Sequence, residues 1–500
     1  MKKVFKVAVT VLLLASCNLS PEFKKPEMKI PQQFKNSVKN DNEVISEGSW
    51  KLVELDENSE RGQWWKIFND EKLNKYQEIA KQNNNELAAA IARVEQARGN
   101  VDLKRGAFFP TLTIGASPSR FQQSNVFLGK AQNADQFINT IYRTEAVVSY
   151  EPDLFGRIRN NYNIANFSRE ASEGALKSVM LALQADVATM YFNLRTIDEE
   201  ISLIEIIVEQ RAQEEKIFET KLKLGDVSYQ EYLLYKAELA SSNSEKISLL
   251  QKREEIVNNF AVLLGQNPSL LELERLNLSH AEIPQIPANL PSKLLERRPD
   301  INIAVKQLEA ANEKIGLART AFFPNISLSA SGGFESNQIS DMFKWSARTW
   351  TLGPLFGTLL TAPLFEGGRG FANLDIAKSA YSEAVAHYRQ SVLVAFKDVE
   401  NALSAIKYLN QQSDEVITAY DASQKSADLQ KLKFENGSAS LPEYLFVERN
   451  RLEALRAFNQ IRGAKFIAAI SLIRALGGGF NVVASAPVNT PDDVVAPIIK

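Results

Sequence analysis

The chain is expected to be mainly α-helical with a membrane β-barrel part, made by duplicating one module of long helices and a strand hairpin. Three observations predict this. Most of the sequence is said twice: Ala107-Phe108-Phe109-Pro110 returns as Ala321-Phe322-Phe323-Pro324, and Ile91, Val94, Glu95, Val101 and Arg105 return in step as Val305, Leu308, Glu309, Ile315 and Arg319. Leu154-Phe155 returns as Leu364-Phe365, Gly225 and Ser228 as Gly437 and Ser440, and Leu264-Gly265 as Leu476-Gly477. A period of about 212 residues is too long for a solenoid unit and signals a tandem duplication of a whole module, its halves related by a pseudo-twofold. The second observation is that long helix-patterned stretches are interrupted by short segments of period two. The third is an export signal followed by no apolar run long enough for a transmembrane helix, which leaves strands in a closed barrel as the only way across a membrane.

Residues 1–16 read as a signal peptide: Lys2, Lys3 and Lys6 precede the apolar run Val7–Leu14. Leu14-Ala15-Ser16-Cys17 then places small residues before the only cysteine and resembles a bacterial lipobox, in which Cys17 becomes the acylated first residue of the mature chain. Asn18 in place of an Asp leaves the outer membrane open as the destination. A single cysteine excludes internal disulfides.

Residues 17–65, 266–296 and 478–500, rich in Pro, Asn, Ser or Gly, are expected to be segments that wrap the helices or stay loose. Between them lie the repeats, 66–265 and 297–477. In the first, Glu71–Arg105 reads as one helix halted at Phe-Phe-Pro. Leu112, Ile114 and Ala116 then alternate with Thr111, Thr113 and Gly115, and Ala146, Val148 and Tyr150 alternate with Glu145 and Ser149, giving two strands. In the second repeat Ile326, Leu328 and Ala330 mark the third strand. The fourth, from about Thr349 to Phe365, contains Pro354 and Pro363, each of which removes a ladder donor. Polar and aromatic stretches from about Gln122 to Thr140 and Phe334 to Arg348 suit exposed loops of a barrel.

After each strand pair comes a very long helix. Leu183, Val187, Met190, Leu194, Ile197, Ile201, Ile204 and Val208 step by four and three, so one apolar seam faces a neighbour throughout. From about Gly156 to Leu224 such a helix extends on the order of 100 Å. Gly225 to Ser228 turns the chain into a return helix about half as long, ending near Gly265. The helix before the strands is also half-length, so the two short ones stacked end to end match the long one. Four strands cannot close a barrel, which needs about eight, so several chains share one.

The duplication, the lipobox, the paired Phe-Phe-Pro stops and the string Leu294-Leu295-Glu296-Arg297-Arg298-Pro299-Asp300-Ile301 resemble the TolC family of outer-membrane factors, specifically the lipoprotein branch serving RND efflux pumps. The resemblance runs from about Trp64 to Gly479. It implies a homotrimer with a twelve-stranded barrel continuing into an α-helical periplasmic tunnel, lipid-anchored in the outer membrane of a Gram-negative bacterium, with most of its mass in the periplasm. It further implies a periplasmic adaptor (membrane fusion) protein and an inner-membrane RND pump as partners, and a passive exit duct for small molecules such as drugs or toxic compounds. Adaptor contacts are expected at the turns, around Gly225, Asp226, Gly437 and Ser438. In the family, acidic side chains just past the second turn narrow the tip; Glu443 holds the first such position, Glu231 is its repeat mate, and Phe446 replaces the second acid. Arg297, Arg298, Pro299 and Asp300 are read as helix-start chemistry, with proline in the first turn and an acid at the positive helix end.

Neither a cofactor nor a metal is indicated: His280 and His387 lack ligand spacing, His387 reads as a helix-packing residue, and no nucleophile or phosphate-loop motif occurs. A formal charge of −2, about −5 without the three signal-peptide lysines, gives no nucleic-acid footprint. Two other functions stay open, a type I protein-secretion channel and a coiled-coil surface lipoprotein without a channel.

Overall fold

A computed structural model describes residues 19–28, 31, 34–35, 50–52, 62–127, 129, 138–276, 278, 283–285, 297–353 and 358–478. Cys17, His280 and the tail after Gly478 lie outside these residues, as does most of the linker 266–296 from 279 onward.

The first repeat contains α1 (Glu71–Asn83), α2 (Asn85–Gly106), β2 (Thr111–Gln122), β3 (Ile138–Tyr150), α3 (Arg157–Leu224) and α4 (Tyr229–Leu263). The second contains α5 (Pro299–Thr320), β5 (Asn325–Ser336), β6 (Arg348–Leu352), β7 (Thr358–Thr361), α6 (Arg369–Glu435) and α7 (Leu441–Ala475). Two short strands, β1 (Trp50–Leu52) and β4 (Ile283–Gln285), pair in parallel. The long helices have 68 and 67 residues, the return helices 35 each, as the duplication requires.

Three sequence expectations need correction. The helix expected over Glu71–Arg105 is two helices, broken at Asn84, whose ψ of 122° is extended. Asparagine competes for backbone hydrogen bonds and favours caps: the Asn84 side-chain oxygen Oδ1 accepts the Leu87 N–H at 2.9 Å, starting α2. The fourth strand is two pieces, β6 and β7, both on β5, with residues 354–357 between them outside the described set. His387, expected to pack between helices, is exposed, with Glu383 at 3.6 Å.

The chain divides into two compact units, each drawing on both repeats. One, including 93–173 and 303–389, holds the antiparallel sheet in the order β2-β3-β5-β6, with β7 also on β5. Thr111 pairs with Ser149, Tyr142 with Ser336, Phe334 with Arg348 and Asn325 with Thr361. The outer edges of β2 and of β6 and β7 have no partner among the described residues, and Leu112 and Ile114 stand exposed. Such edges do not exist in lipid, where each backbone group needs a partner.

The other unit includes 174–302 and 390–478 and carries the main apolar core. The predicted heptad faces inward: Leu183, Val187, Leu194, Ile197, Ile201 and Ile204 are buried. Phe192 of α3 stacks on Phe466 of α7 with centroids 4.3 Å apart, and Phe68 packs on both. Across the same α3–α7 seam, Glu214 accepts from Arg449 at 2.6 Å. The segment 273–276 is held on this core by Asp198, which accepts the Leu276 N–H at 3.0 Å while binding Arg253 at 2.6 Å.

Candidate functional site

Both helical turns end in the same local chemistry. At the first, the Gly225 N–H donates to the Leu222 carbonyl at 3.0 Å and the Asp226 N–H to Lys221 at 2.9 Å. At the second, Gly437 donates to Phe434 at 2.9 Å and Ser438 to Lys433 at 2.8 Å. These are paired Schellman closures, and the φ values of +82° and +70° explain glycine at both. The turns differ on the return side. Ser440 and Glu443 form a full capping box: the Ser440 N–H donates to the Glu443 carboxylate at 2.8 Å, and Ser440 Oγ accepts the Glu443 N–H. Ser228 accepts the Glu231 N–H at 3.2 Å, but the Glu231 carboxylate has no hydrogen-bond partner among the described residues. The pair therefore shares a place in the repeat while only Glu443 is committed to its helix end.

That commitment depresses the Glu443 pKa, chiefly through the Ser440 N–H and then its hydroxyl. A carboxylate lowered on folding adds stability above its unfolded pKa of about 4.3 and loses it as pH falls through the lower folded value. The start of α7 is expected to lose amide protection, taken relative to the intrinsic exchange rate at each pH, in acid. Glu443→Gln, which can still close a capping box, should lose that acid dependence; hydrogen exchange at pH 3 and pH 7 checks it.

Apolar side chains surround the turns. Leu224, Tyr229 and Leu234 are exposed at the first, Leu432 and Phe446 at the second. Below them, Phe218 stacks on Tyr235 and Phe434 on Tyr444, so each hairpin is stapled by a ring pair, the second about one helical turn nearer its glycine.

The Arg297–Asp300 string is a helix start, as expected, and also a joint. Pro299 opens α5, and Asp300 binds the Arg298 guanidinium at 2.7 Å and the Ile301 N–H at 2.9 Å. Arg298 is buried, donates to the Ala475 carbonyl at 2.7 Å and reaches Asp398 at 3.1 Å. Burial works against its charge, yet Asp300 and Asp398 outweigh that and leave its pKa raised. The Arg297 carbonyl lies against Gly477. Asn84, the repeat mate of Arg298, likewise donates to the last carbonyl of a return helix, Leu263, at 3.0 Å. Each half thus ties the start of a short helix to the end of the returning one, by an amide in the first and a guanidinium in the second. The aligned positions of Asn84 and Arg298 in the repeat could have shown this in the sequence; the Arg449–Glu214 tie, 235 residues apart, left no such signal.

Near the lipobox, Leu19 to Pro21 are seated on α5. Arg319 donates to the Leu19 carbonyl at 3.0 Å, Asn312 to Pro21 at 2.8 Å, and the Ser20 hydroxyl to Asn160 and Glu313 at 3.2 Å each. The chain leaving Cys17 is therefore pinned in the last turns of α5, shortly before β5.

Duplicated long helices closed by glycine turns, together with a four-stranded sheet open at both edges, define the subunit of a barrel-and-tunnel membrane channel. The chain belongs to the Outer membrane efflux protein family, whose model matches residues 77–266 and 290–478, one repeat each. It is similar to the cation efflux system protein CusC of Escherichia coli O6:H1, 29% identical over 469 residues, covering 94% of this chain and 97% of the relative. The toluene efflux pump outer membrane protein TtgI of Pseudomonas putida is 29% identical over 480 residues, covering 94% and 97%. Among solved structures, the Campylobacter jejuni CmeC outer membrane channel superposes with a TM-score of 0.81 at 27% identity, covering 94% of this chain and 96% of that one. The protein is thus an outer-membrane efflux channel of the TolC fold from a Gram-negative bacterium.

Proposed function

We propose that three copies form the exit duct of a tripartite RND-type efflux system, passively conducting small molecules received from an inner-membrane pump through a periplasmic adaptor. The observation that carries this is the sheet β2-β3-β5-β6, with β7 also on β5, whose outer edges have no partner among the described residues and which needs neighbouring chains before it can enter lipid. The adaptor meets the turns around Gly225, Asp226, Gly437 and Ser438, where exposed apolar side chains stand beside closed glycine caps. Cys17 carries the lipid in this reading, which the seating of Leu19 to Pro21 on α5 just after it supports. Glu443 and Glu231 lend the entrance negative charge. Relatives of equal similarity bear names for cation and for toluene efflux, so likeness to them selects no cargo.

Native mass spectrometry of the detergent-extracted protein tests the assembly and the anchor together. The expected species is a trimer whose subunits carry diacylglycerol and acyl mass on Cys17, and Cys17→Ser should lose the lipid mass while staying exported and trimeric. A folded monomer, or an unmodified Cys17 at the mature N-terminus, would overturn the corresponding part. For the entrance, Glu443→Gln with Glu231→Gln should lower cation selectivity in single-channel recordings; unchanged selectivity would mean the two charges are only solvated helix ends.

A further inference from the structure

The linker after α4 is held by a clamp whose counterpart is present in the second repeat. Asp198 of α3 is 1% exposed, and its carboxylate accepts the Leu276 N–H at 3.0 Å while binding Arg253 of α4 at 2.6 Å. Arg253 donates in turn to the Leu273 carbonyl at 2.9 Å. One carboxylate and one guanidinium thus take a peptide N–H and a peptide carbonyl of the same segment, while Leu271 and Leu273 pack, as Ile256 does, on the cluster that contains Ile197. A shift of 212 positions, the one that carries Gly225 to Gly437, takes Asp198 to Asn410, Arg253 to Lys465, Ile197 to Leu409 and Ile256 to Ala468. Asn410 Oδ1 is buried with no hydrogen-bond partner among the described residues, a costly condition for an acceptor. Lys465 donates to Ser413 Oγ at 3.3 Å, and burial pushes its pKa down. Leu409 and Ala468 line a groove of about 610 Å³ between α6 and α7, which reaches Arg298 and Ala475 at the end of α7.

We propose that residues 479–490 lie along this groove as an extended peptide, with Asn410 Oδ1 accepting the Val488 N–H and Lys465 donating to the Ser485 carbonyl. Val488 and Ser485 are the repeat mates of Leu276 and Leu273, and Val483 is that of Leu271. The occupant is this segment because it alone joins α7 at the groove's end with the reach the linker has: ten residues lead from Leu263 to Leu273 and from Ala475 to Ser485. Its composition agrees with the walls it meets. Residues 479–490 carry no charge, whereas the clamped linker carries Glu272, Glu274 and Arg275. The groove is walled largely by alanine, from Ala402 and Ala405 on α6 to Ala464 and Ala468 on α7. The exchange of Asp and Arg for Asn and Lys keeps the chemistry the clamp needs, since an amide oxygen still accepts a peptide N–H and an ammonium still donates to a carbonyl. Each repeat thus ends in a segment that ties its long helix to its return helix through one N–H and one carbonyl.

Maleimide labelling of a full-length, detergent-extracted Ala405→Cys variant, read by peptide mapping so that Cys17 is counted apart, measures access to the groove. Labelling is expected to be slow in the full chain and roughly tenfold faster when the chain is ended at Gly478, the gain from removing a weakly held segment. Asn410→Leu in the full chain should also speed it, whereas Asn410→Asp with Lys465→Arg, which restores the first repeat's pair, should leave it slow. Oxidation of Ala468→Cys with Ser485→Cys, mates of Ile256 and Leu273, should join the two within one chain. The joined peptide is then recovered from protein that still runs as a monomer on non-reducing denaturing gels. Equal labelling with and without residues 479–500, or no joined peptide, would overturn the proposal. A cross-linked dimer would overturn it as well, by placing another copy's segment in the groove. Where the shortened chain does not fold, the Asn410→Leu arm decides in its place, and unchanged labelling there counts against the clamp.

Discussion

Arg449→Leu is expected to destabilise the helical unit by about 3–5 kcal/mol, because it strands a carboxylate in the interior. Glu214 is 1% exposed and its side chain meets Arg449, on the other repeat, at 2.6 Å. Attraction between the two repays the cost of removing both from water only while both are present. Replacing both, Glu214→Leu with Arg449→Leu, should therefore recover most of the loss, since apolar side chains of similar volume often match a buried pair. Thermal unfolding followed by circular dichroism in detergent checks the order: single variant lowest, double variant near wild type. A double variant as unstable as the single would mean that helix packing, not the stranded charge, sets the cost.

The second large effect is expected at the joint of the first repeat. Gly265 has a φ of +67°, and a Cβ there would lie 2.2 Å from the Asn83 carbonyl oxygen, a backbone atom that cannot swing aside. Gly265→Val must shift the α1–α2 break or unwind the end of α4. The left-handed backbone alone costs about 1–3 kcal/mol, and the overlap adds to it. Asn84 would lose the Leu263 carbonyl it holds at 3.0 Å. Hydrogen exchange should show faster amides in the first turn of α2, from Leu87 onward, and in the last turn of α4; protection equal to wild type at both ends would refute the joint.

Much of this architecture was legible because duplication amplifies weak signals. The Phe-Phe-Pro stops, the glycine turns and the heptad from Leu183 to Val208 each have a local cause that sequence spacing displays, and the structure places them as read. The break at Asn84 was only half legible: Asn83-Asn84-Asn85 is a run of weak helix formers, but what stabilises the break there is the end of α4, about 180 residues away in sequence. The fourth strand was flagged by its prolines; β6 ends at Leu352 and β7 begins at Thr358, with Pro354 in the stretch outside the described residues. The exposure of His387 was not legible because periodicity says which face of a helix a residue occupies but not how deeply that face is covered. At the second turn, the Ser440-to-Glu443 spacing already spelled a capping box, so the part Glu443 plays at its helix start could have been anticipated.

The most direct test of the central claim is conductance of the purified, lipidated protein in a planar bilayer. A duct of three chains predicts discrete, long-lived steps that appear only from the trimeric fraction and shift in ion selectivity in the Glu231→Gln, Glu443→Gln variant. Trimeric protein that inserts into the bilayer yet passes no current under any applied voltage or salt, with the turns intact or trimmed back, would contradict it.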